Sequence, residues 1–247
     1  MPTHNLAVVT KRKADKASWD TEALPEGDAK QQMVRTMFDA IAPRYDLVNR
    51  IMTFRLDVRW RKKAVRDLAL PKGSRVLDLA SGTGDLCIDL KKAGLLPISM
   101  DLSFGMLSND RSGAPRVQTD ILRLPVADNS VDGIICGFAL RNLVDLQQFF
   151  VECARVLKPG GRVSLLDVGI PHNPVIRFGN NIYFGKVVPK IGSLLSNGAA
   201  YRYLPKSIQY LPPRTEMLAI LKNSGFPDAR HDQLSGGLTQ LMTGTRA

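Results

Sequence analysis

The sequence is poor in cysteine and histidine and has no long hydrophobic run. Its 247 residues include three cysteines, Cys87, Cys136 and Cys153, and three widely spaced histidines. The number and spacing of the cysteines argue against a disulfide framework and a zinc site, so we expect a reduced protein with no bound metal. No stretch of about 18 apolar residues could span a membrane, and the first residues lack the apolar core of a secretory signal. We therefore expect a cytoplasmic protein.

Acidic residues are outnumbered by basic ones. Lys and Arg total 34 against 23 Asp and Glu, a formal net charge of +11. This excess permits nucleic acid, anionic lipid or an acidic ligand as a partner and does not choose among them. Hydrophobic residues make up 44% and charged residues 23% of the chain, which is typical of a globular protein. The length favours one α/β domain with a tail or lid over two full domains.

Short apolar runs alternate with helical periodicity over most of the chain. Residues 1–30 are polar and aperiodic and are expected to form a flexible leader, which leaves 31–247 as the folded domain. Runs typical of strands occupy 75–80, 96–100, a short segment ending at 120, 131–137, 162–168, and a closing hairpin of 229–234 and 238–245. Helical spacing occurs at about 31–48, 57–69, 86–92, 146–157 and 216–223. The alternation predicts an α/β fold with a mostly parallel, doubly wound sheet and helices on both faces.

Residues 171–213 interrupt this alternation. The segment is rich in proline and glycine, yet it carries many apolar side chains: Ile176, Phe178, Tyr183, Phe184, Val187, Val188, Ile191 and Leu194. We interpret it as an inserted helical lid over a substrate, and the interface of a homodimer is an equally good interpretation. Its basic residues could face anionic lipid at a membrane surface: Arg177, Lys186, Lys190, Arg202 and Lys206.

A glycine-rich turn follows the first strand. Gly82 and Gly84 lie between a predicted strand and a predicted helix, where the absence of a Cβ lets the backbone approach a ligand. The third glycine of the dinucleotide fingerprint is replaced by Asp85-Leu86-Cys87, which disfavours NAD and FAD. Asp101 ends the next strand, 17 residues after Gly84, and a carboxylate there can accept both hydroxyls of a ribose. The turn and the carboxylate together indicate a nucleoside more strongly than either does by itself.

Three further carboxylates extend this candidate site. Asp78 and Asp85 flank the glycines and suit the cationic ammonium of an amino acid better than a pyrophosphate. Asp120 ends the third strand, where it can accept from an adenine amino group while Ile121 packs on the ring. Asp101 could instead cap a helix, and Asp120 could be a solvated turn residue. Their place at successive strand ends favours the ligand interpretation.

Four stretches of the chain are more specific than a general nucleoside site. They are Met37 to Asn49 with Trp60-Arg61, Val76 to Leu86, Gly137 to Asn142, and Pro189 to Ser193 with Tyr201 to Leu204 and Ser207-Ile208. With them the chain resembles the class I methyltransferases, and more narrowly the C-methyltransferases that methylate demethylmenaquinol and the ubiquinone precursor polyprenyl-methoxybenzoquinol. The resemblance covers roughly residues 33–246. It implies a Rossmann-like class I methyltransferase fold with a seven-stranded sheet, S-adenosylmethionine as cofactor and a prenylated quinol as substrate.

The resemblance also implies cofactor contacts. It places them at Thr83, Asp101, Asp120, Ile121 and Gly137, which join Asp78, Gly82 and Gly84 in the predicted cofactor site. The family often has serine at the position of Gly137, so a contact there must use the backbone. The segment between Asp101 and Asp120 is shorter than usual and leaves little room for a full helix.

The chemistry of ring methylation suggests three catalytic candidates. A hydroquinone becomes nucleophilic at carbon once a phenolic proton leaves, so the protein must position that carbon and stabilise the phenolate. Arg141 and Asn142 follow the fourth strand, at the edge where such sheets bind ligands. Arg141 can donate to a phenolate and Asn142 can orient a hydroxyl, although the pair could simply cap the next helix. Tyr45, Asp46 or Asp85 could relay the proton through water.

The expected activity is C-methylation of demethylmenaquinol. The benzoquinol precursor, another small molecule or RNA are the alternative substrates. Nucleic acid is not expected as a partner, because the chain has no recognisable RNA-binding appendage and no catalytic signature of a base methyltransferase. A non-catalytic module that kept the fold is the alternative outside enzymes, and the joint presence of Gly82, Gly84 and Asp101 argues against it.

Overall fold

A mixed sheet forms the centre of the molecule. The structure is a computed structural model that describes residues 25–195 and 198–247. Its strands are β1 (Arg75–Leu79), β2 (Leu96–Asp101), β3 (Arg116–Gln118), β4 (Val131–Gly137), β5 (Leu157–Val168), β6 (Arg230–Leu234) and β7 (Thr239–Thr245). They form one seven-stranded sheet in the order β3-β2-β1-β4-β5-β7-β6. Only β7 is antiparallel to its neighbours, so the mostly parallel sheet expected from the sequence is confirmed.

Helices precede, connect and follow the strands. Within the described residues they are α1 (Gly27–Ile41), α2 (Tyr45–Met52), α3 (Leu56–Asp67), α4 (Asp85–Lys92), α5 (Phe104–Ser108), α6 (Leu146–Val156), α7 (Pro174–Ile182), α8 (Val188–Leu195), α9 (Gly198–Ser207) and α10 (Arg214–Asn223). None of those described is long and apolar enough to cross a membrane.

Both faces of the sheet are covered by helices, because successive side chains of a strand point to opposite sides. Leu77 and Leu79 of β1 belong to a core cluster that includes Phe149 and Phe150 of α6. Val76, the residue before Leu77, points to the opposite side and belongs to a second cluster with side chains from α3 and α4. The apolar run of β1 is therefore continuous because both of its faces are buried, as in other parallel sheets.

The helical ends differ from the sequence expectations in two places. Helix α1 begins at Gly27, so the last residues of the expected leader are folded; Lys30 is buried and donates from Nζ to the carbonyl of Leu143 at 2.6 Å. Residues 1–24, the rest of that leader, lie outside the described residues. The helical stretch expected over 31–48 is broken at a 3-10 turn containing Pro43, whose missing N–H cannot continue the helix.

The start of β5 and the connection between Asp101 and Asp120 can also be compared with the sequence expectations. Strand β5 begins at Leu157, which pairs with Val131, and the register shifts before Arg162, where the sequence suggested its start. Between Asp101 and Asp120 only the five residues of α5 are helical, in line with the short segment noted in the sequence.

Within the segment 171–213, residues 174–195 and 198–210 are helical, and three residues at each end are not. Helix α7 continues into a π-helical turn, Tyr183–Val187, followed by α8, α9 and a 3-10 turn, Ile208–Tyr210. Val188 and Tyr203 of this segment are buried against Met33, Val48 and Met52 of α1 and α2. This third apolar cluster lies apart from the two clusters of the sheet, so the segment packs on the N-terminal helices and forms a cover above the strand ends.

Candidate active site

Two cavities meet at the carboxyl ends of β1 and β4. The larger has a volume of about 390 Å³ and the smaller about 100 Å³. The residues that line both are Tyr45, Ala80, Gly82, Gly137 and Phe138. Ala80 and Phe138 directly follow β1 and β4 with φ values of 54° and 62°, in the left-handed region that residues with a Cβ rarely adopt. Such strained residues concentrate at binding sites, where the surrounding fold holds them in place.

The small cavity contains the turn after β1 and the carboxylate that ends β2. The backbone N–H of Gly82 donates to Asp101 Oδ2 at 2.8 Å, and the N–H of Ser103 donates to Oδ1 at 2.8 Å. The structure thus joins the two elements that the sequence analysis linked. Burial raises the pKa of Asp101 from 3.8 to about 6, against the opposing effect of these hydrogen bonds. Each carboxylate oxygen keeps a lone pair for a further donor.

Asp120 and Ile121 line the far end of the small cavity. Asp120 accepts from Gln31 Nε2 at 2.6 Å and from the N–H of Leu122 at 2.9 Å. Gln31 lies on α1, which also contributes Val34 and other residues to the lining. The sequence analysis did not assign α1 to the site, because nothing in its helical spacing shows which strand end it covers.

Thr83 lines the large cavity, whereas Asp78 and Gly84 line neither cavity. Thr83 Oγ1 donates to Asp46 Oδ1 at 2.5 Å. Asp78 is fully buried in β1 and accepts from Cys87 Sγ at 3.2 Å. Gly84 has a φ of 81°, and a Cβ on it would come within 2.3 Å of the Asp110 carboxylate. Asp78 and Gly84 thus lie behind the turn, and their expected cofactor contacts stay predictions.

A charged cluster forms one end of the large cavity. Arg61 contacts Asp57 at 2.6 Å and Asp85 at 3.1 Å, and all three line the cavity. Arg50 also contacts Asp85 at 3.1 Å. The sequence analysis quoted Arg61 without giving it a role and missed Asp57. The available signal was their spacing, since residues four apart on a helix share one face.

Gly137 lies where the two cavities join. A Cβ at this position would come within 2.8 Å of Leu86 Cδ1, so the backbone here is in close contact with α4. The expectation of a backbone-only contact therefore has a packing reason. Leu86 occupies the space that a serine side chain would need.

Arg141 lines the large cavity and is itself buried. Its Nη1 donates to the buried carboxylate of Asp167 and, at 2.7 Å, to the carbonyl of Phe138. Its Nε donates to Ser207 Oγ at 3.2 Å. Among the described contacts Nη2 has no partner in the protein, so one edge of a fixed guanidinium remains for a ligand.

Asn142 and Arg141 lie on different cavities, although the sequence analysis grouped them in one catalytic set. Asn142 lines the small cavity, and its Oδ1 accepts from Tyr203 Oη at 3.3 Å. Tyr45 lines both cavities, and burial raises its pKa, so its phenol stays protonated near neutral pH. A protonated Tyr45 can donate a hydrogen bond at the junction, and its expected part in a proton relay stays a prediction.

The rest of the large cavity is mostly apolar. Its wall combines side chains from α2, α3, the end of β4, the lid segment and the turn before β7: Met52, Leu56, Trp60, Phe138, Ile176, Tyr183, Phe184, Leu204 and Leu238. The cavity is thus charged beside the turn after β1 and lined mostly by hydrocarbon elsewhere, which suits a ligand with a long apolar part.

Comparison with known proteins identifies the family. Residues 26–246 match the model of the ubiE/COQ5 methyltransferase family. The chain belongs to this family. It is 41% identical over 230 residues to the ubiquinone/menaquinone biosynthesis C-methyltransferase of Syntrophotalea carbinolica, covering 87% of this chain and 95% of that protein. It is 36% identical to the demethylmenaquinone methyltransferase of Roseiflexus castenholzii, covering 92% of this chain and 99% of that protein.

Solved structures with low sequence identity share the fold of this family member. A methyltransferase from Thermotoga maritima, described as a possible histamine N-methyltransferase, superposes with a TM-score of 0.63 at 18% identity, covering 86% of this chain and 99% of that one. At such identity the likeness concerns the fold alone. The family assignment and the fold together confirm three expectations: a Rossmann-like class I fold, methyltransferase activity and S-adenosylmethionine as the cofactor.

Proposed function

We propose that this methyltransferase adds a methyl group to a ring carbon of a prenylated quinol, with demethylmenaquinol as the first candidate substrate. The observation that carries the proposal is the pair of joined cavities: a small one bounded by Asp101 and Asp120, and a large, mostly apolar one. They meet at Tyr45, Gly82 and Gly137. A nucleoside cofactor and a hydrocarbon substrate can therefore bind side by side.

The residues of the small cavity and the charged cluster fit S-adenosylmethionine. Asp101 would accept hydrogen bonds from the ribose hydroxyls, and Asp120 with Ile121 would bind the adenine edge and face. The methionine ammonium and carboxylate find opposite charges in Asp85 and Arg61, which line the neighbouring end of the large cavity. When bound, the cofactor supplies an electrophilic methyl group on a cationic sulfur.

Arg141 is the residue best placed to stabilise a quinolate. Its positive charge is fixed by Asp167 and by the carbonyl of Phe138, so it needs no reorientation when negative charge develops on the ring oxygen. Donors that are arranged in advance in a site with little water stabilise such charge strongly. Tyr45, protonated and at the junction of the cavities, would donate a second hydrogen bond to a substrate oxygen.

The ring of the substrate is the finer part of the proposal. The Roseiflexus castenholzii relative is named for demethylmenaquinone, whereas the Syntrophotalea carbinolica relative is named for both ubiquinone and menaquinone biosynthesis. The apolar wall of the large cavity accommodates either a naphthoquinol or a benzoquinol. The benzoquinol precursor of ubiquinone is therefore the second candidate.

The test is methyl transfer from labelled S-adenosylmethionine to chemically reduced quinones. Demethylmenaquinol, the methoxybenzoquinol precursor and a bulk RNA preparation should be compared at equal enzyme concentration, each in detergent. We expect label on a quinol ring carbon and none on RNA, and the ratio of kcat/KM for the two quinols assigns the ring. Label on RNA alone would refute the proposed substrate class.

We also propose that the lid segment contacts anionic membrane. Val175, Phe178 and Ile182 share one side of α7 and are 78%, 69% and 43% exposed. The residues between 168 and 215 include no Asp or Glu, but they include six basic residues: Arg177, Lys186, Lys190, Arg202, Lys206 and Arg214. An exposed apolar stripe in a purely basic segment matches a surface that binds anionic lipid.

Vesicle sedimentation at low salt tests this surface. The protein should bind vesicles that contain anionic lipid and should be released by added salt, because screening weakens surface attraction. Phe178→Glu should reduce binding without changing methyl transfer in detergent. If the stripe instead forms the interface of a homodimer, that substitution would turn a dimer into a monomer in light scattering and leave vesicle binding unchanged, which would overturn the membrane proposal.

A further inference from the structure

The large cavity opens to solvent where its lining residues are themselves solvent-exposed. Most residues of its wall are buried or half-buried, whereas Phe54, Ile176 and Gly179 line the cavity and are exposed. Phe54 belongs to the turn between α2 and α3, and the other two belong to α7. The cavity therefore opens between this turn and the lid segment, whereas the lining residues Trp60 and Thr239 are buried.

Phe54 is held at the opening against its own conformational preference. It has a φ of 50°, and Arg55 after it has a φ of 62°, so two consecutive residues with a Cβ are left-handed. The turn is kept in place by backbone hydrogen bonds from Phe54 to Ile51 and from Arg55 to Arg50. The phenyl ring is nevertheless 75% exposed. A strained turn that presents an aromatic ring to water calls for a functional explanation, because folding by itself favours glycine or asparagine there.

Tyr183 joins this turn to the lid segment. Its ring centroid lies 5.8 Å from that of Phe54, and its hydroxyl donates to the carbonyl of Met52 at 2.8 Å. Tyr183 is also the first residue of the π-helical turn, a feature that often lies at functional sites. The two rings thus form one side of the opening, with Ile176 on the same helical face as Tyr183.

We infer that Phe54 and Tyr183 form the exit through which the hydrocarbon tail of the substrate leaves the cavity, and that they select tailed over tailless substrates. This inference rests on the proposed quinol substrate. A cavity of about 390 Å³ holds a quinol ring and the start of its tail, so a chain of many isoprene units must pass outward. The aromatic pair gives the first part of that tail an apolar surface where the cavity ends.

The test compares two substrates that differ only in the tail. Wild type and Phe54→Ala should be assayed with a quinol carrying several isoprene units and with the same ring carrying no tail, both in detergent, and binding of S-adenosylmethionine should be measured by calorimetry. We expect KM for the tailed quinol to rise about tenfold, as for loss of one partly buried aromatic contact. KM for the tailless quinol, kcat and cofactor binding should stay near wild type. Tyr183→Phe, which keeps the ring, should have a smaller effect.

Phe178→Ala is the matched control. It removes a similarly exposed phenyl ring from the lid segment that also carries Tyr183, but Phe178 does not line the cavity. We expect it to leave the ratio of the two KM values unchanged in detergent. Equal loss of activity on both substrates by Phe54→Ala, or the same loss of tail preference by Phe178→Ala, would overturn the inference. Failure of the proposed function looks different, because the wild type would then methylate neither quinol.

Discussion

The two cavities are built from different parts of the chain and by different forces. The small cavity takes its polar groups from the ends of β1, β2 and β3, where the oxygens of Asp101 and Asp120 are already hydrogen-bonded. The large cavity takes its wall from α2, α3 and the lid segment, and most of that wall is hydrocarbon. Hydrogen-bonding groups fix the identity and orientation of a ligand, whereas an apolar wall accepts hydrocarbons of similar size. In the proposed arrangement the small cavity and the charged end of the large one set cofactor identity, and the apolar wall of the large cavity sets substrate range.

The largest expected effect is a fall in kcat when the positive charge of Arg141, beside the large cavity, is removed. Arg141→Gln combined with Asp167→Asn should lower kcat by about 100- to 1000-fold, the usual effect of removing one donor to a developing negative charge. Cofactor binding should change less than about twofold, since Arg141 does not line the small cavity. Steady-state kinetics and calorimetry measure the two separately.

The double substitution is needed because of Asp167. Arg141→Gln by itself would leave that buried carboxylate without its cation and cost about 3–5 kcal/mol of unfolding free energy. Thermal unfolding of the double variant and of Asp167→Asn provides the folding control. Activity near wild type in a folded double variant would remove Arg141 from the mechanism.

The second largest expected effect is a loss of cofactor affinity in the small cavity. Asp101→Asn should raise the Kd for S-adenosylmethionine about 10- to 100-fold, because a charged acceptor of hydrogen bonds becomes neutral. KM for the quinol at saturating cofactor should change little. Asp110→Asn is a matched control, since Asp110 accepts from Ser99 Oγ at 2.6 Å and lines neither cavity. A Kd that responds to both substitutions equally would contradict the special role of Asp101.

The third expected effect is a pH dependence of cofactor binding in the small cavity that quinol binding in the large cavity does not share. Burial raises the pKa of Asp101 from 3.8 to about 6. Since the folded protein holds this proton more tightly than the unfolded chain, the contribution of Asp101 to stability is present below about pH 4 and lost as the pH rises through 6. Cofactor affinity has the opposite sign, because the ribose needs the ionised form.

Calorimetry should therefore show the Kd for S-adenosylmethionine rising about tenfold between pH 7 and pH 5. Asp101→Asn should remove most of this change, while KM for the quinol should not share it. A flat profile in the wild-type protein would show that protonation of Asp101 does not control cofactor binding.

The smallest expected effect comes from the junction, where one residue lines both cavities and its substitution should affect both ligands. Gly137→Ser places a side chain against Leu86 and should lower the free energy of unfolding by about 1–3 kcal/mol, as overpacking does. KM for cofactor and for quinol should both rise a fewfold, because Gly137 lines both cavities. Denaturant unfolding and kinetics test this, and an effect on one ligand only would contradict the shared wall.

Much of the small cavity was predictable from local pattern. Parallel strands bring their carboxyl ends to one edge, so Gly82, Asp101 and Asp120 could be placed together before any coordinates were known. Asp78 and Gly84 are close to Gly82 along the chain, but Asp78 is buried behind the turn and neither residue lines a cavity, so their expected cofactor contacts stay predictions. Adjacency in sequence does not show on which side of a turn a side chain lies. It likewise grouped Arg141 with Asn142, which the structure divides between the two cavities.

The order of short apolar runs, helical spacing and glycine turns was enough to determine the α/β class, the closing hairpin and the cofactor edge. These follow from interactions among neighbours in the chain and from the rule that parallel strands share an edge. Only the tertiary structure decided that α1 covers the small cavity, that Arg61 contacts Asp85, and that Phe54 meets Tyr183 at an opening. Those contacts unite segments far apart in sequence, and they depend on how independently formed helices pack together, which no local pattern records.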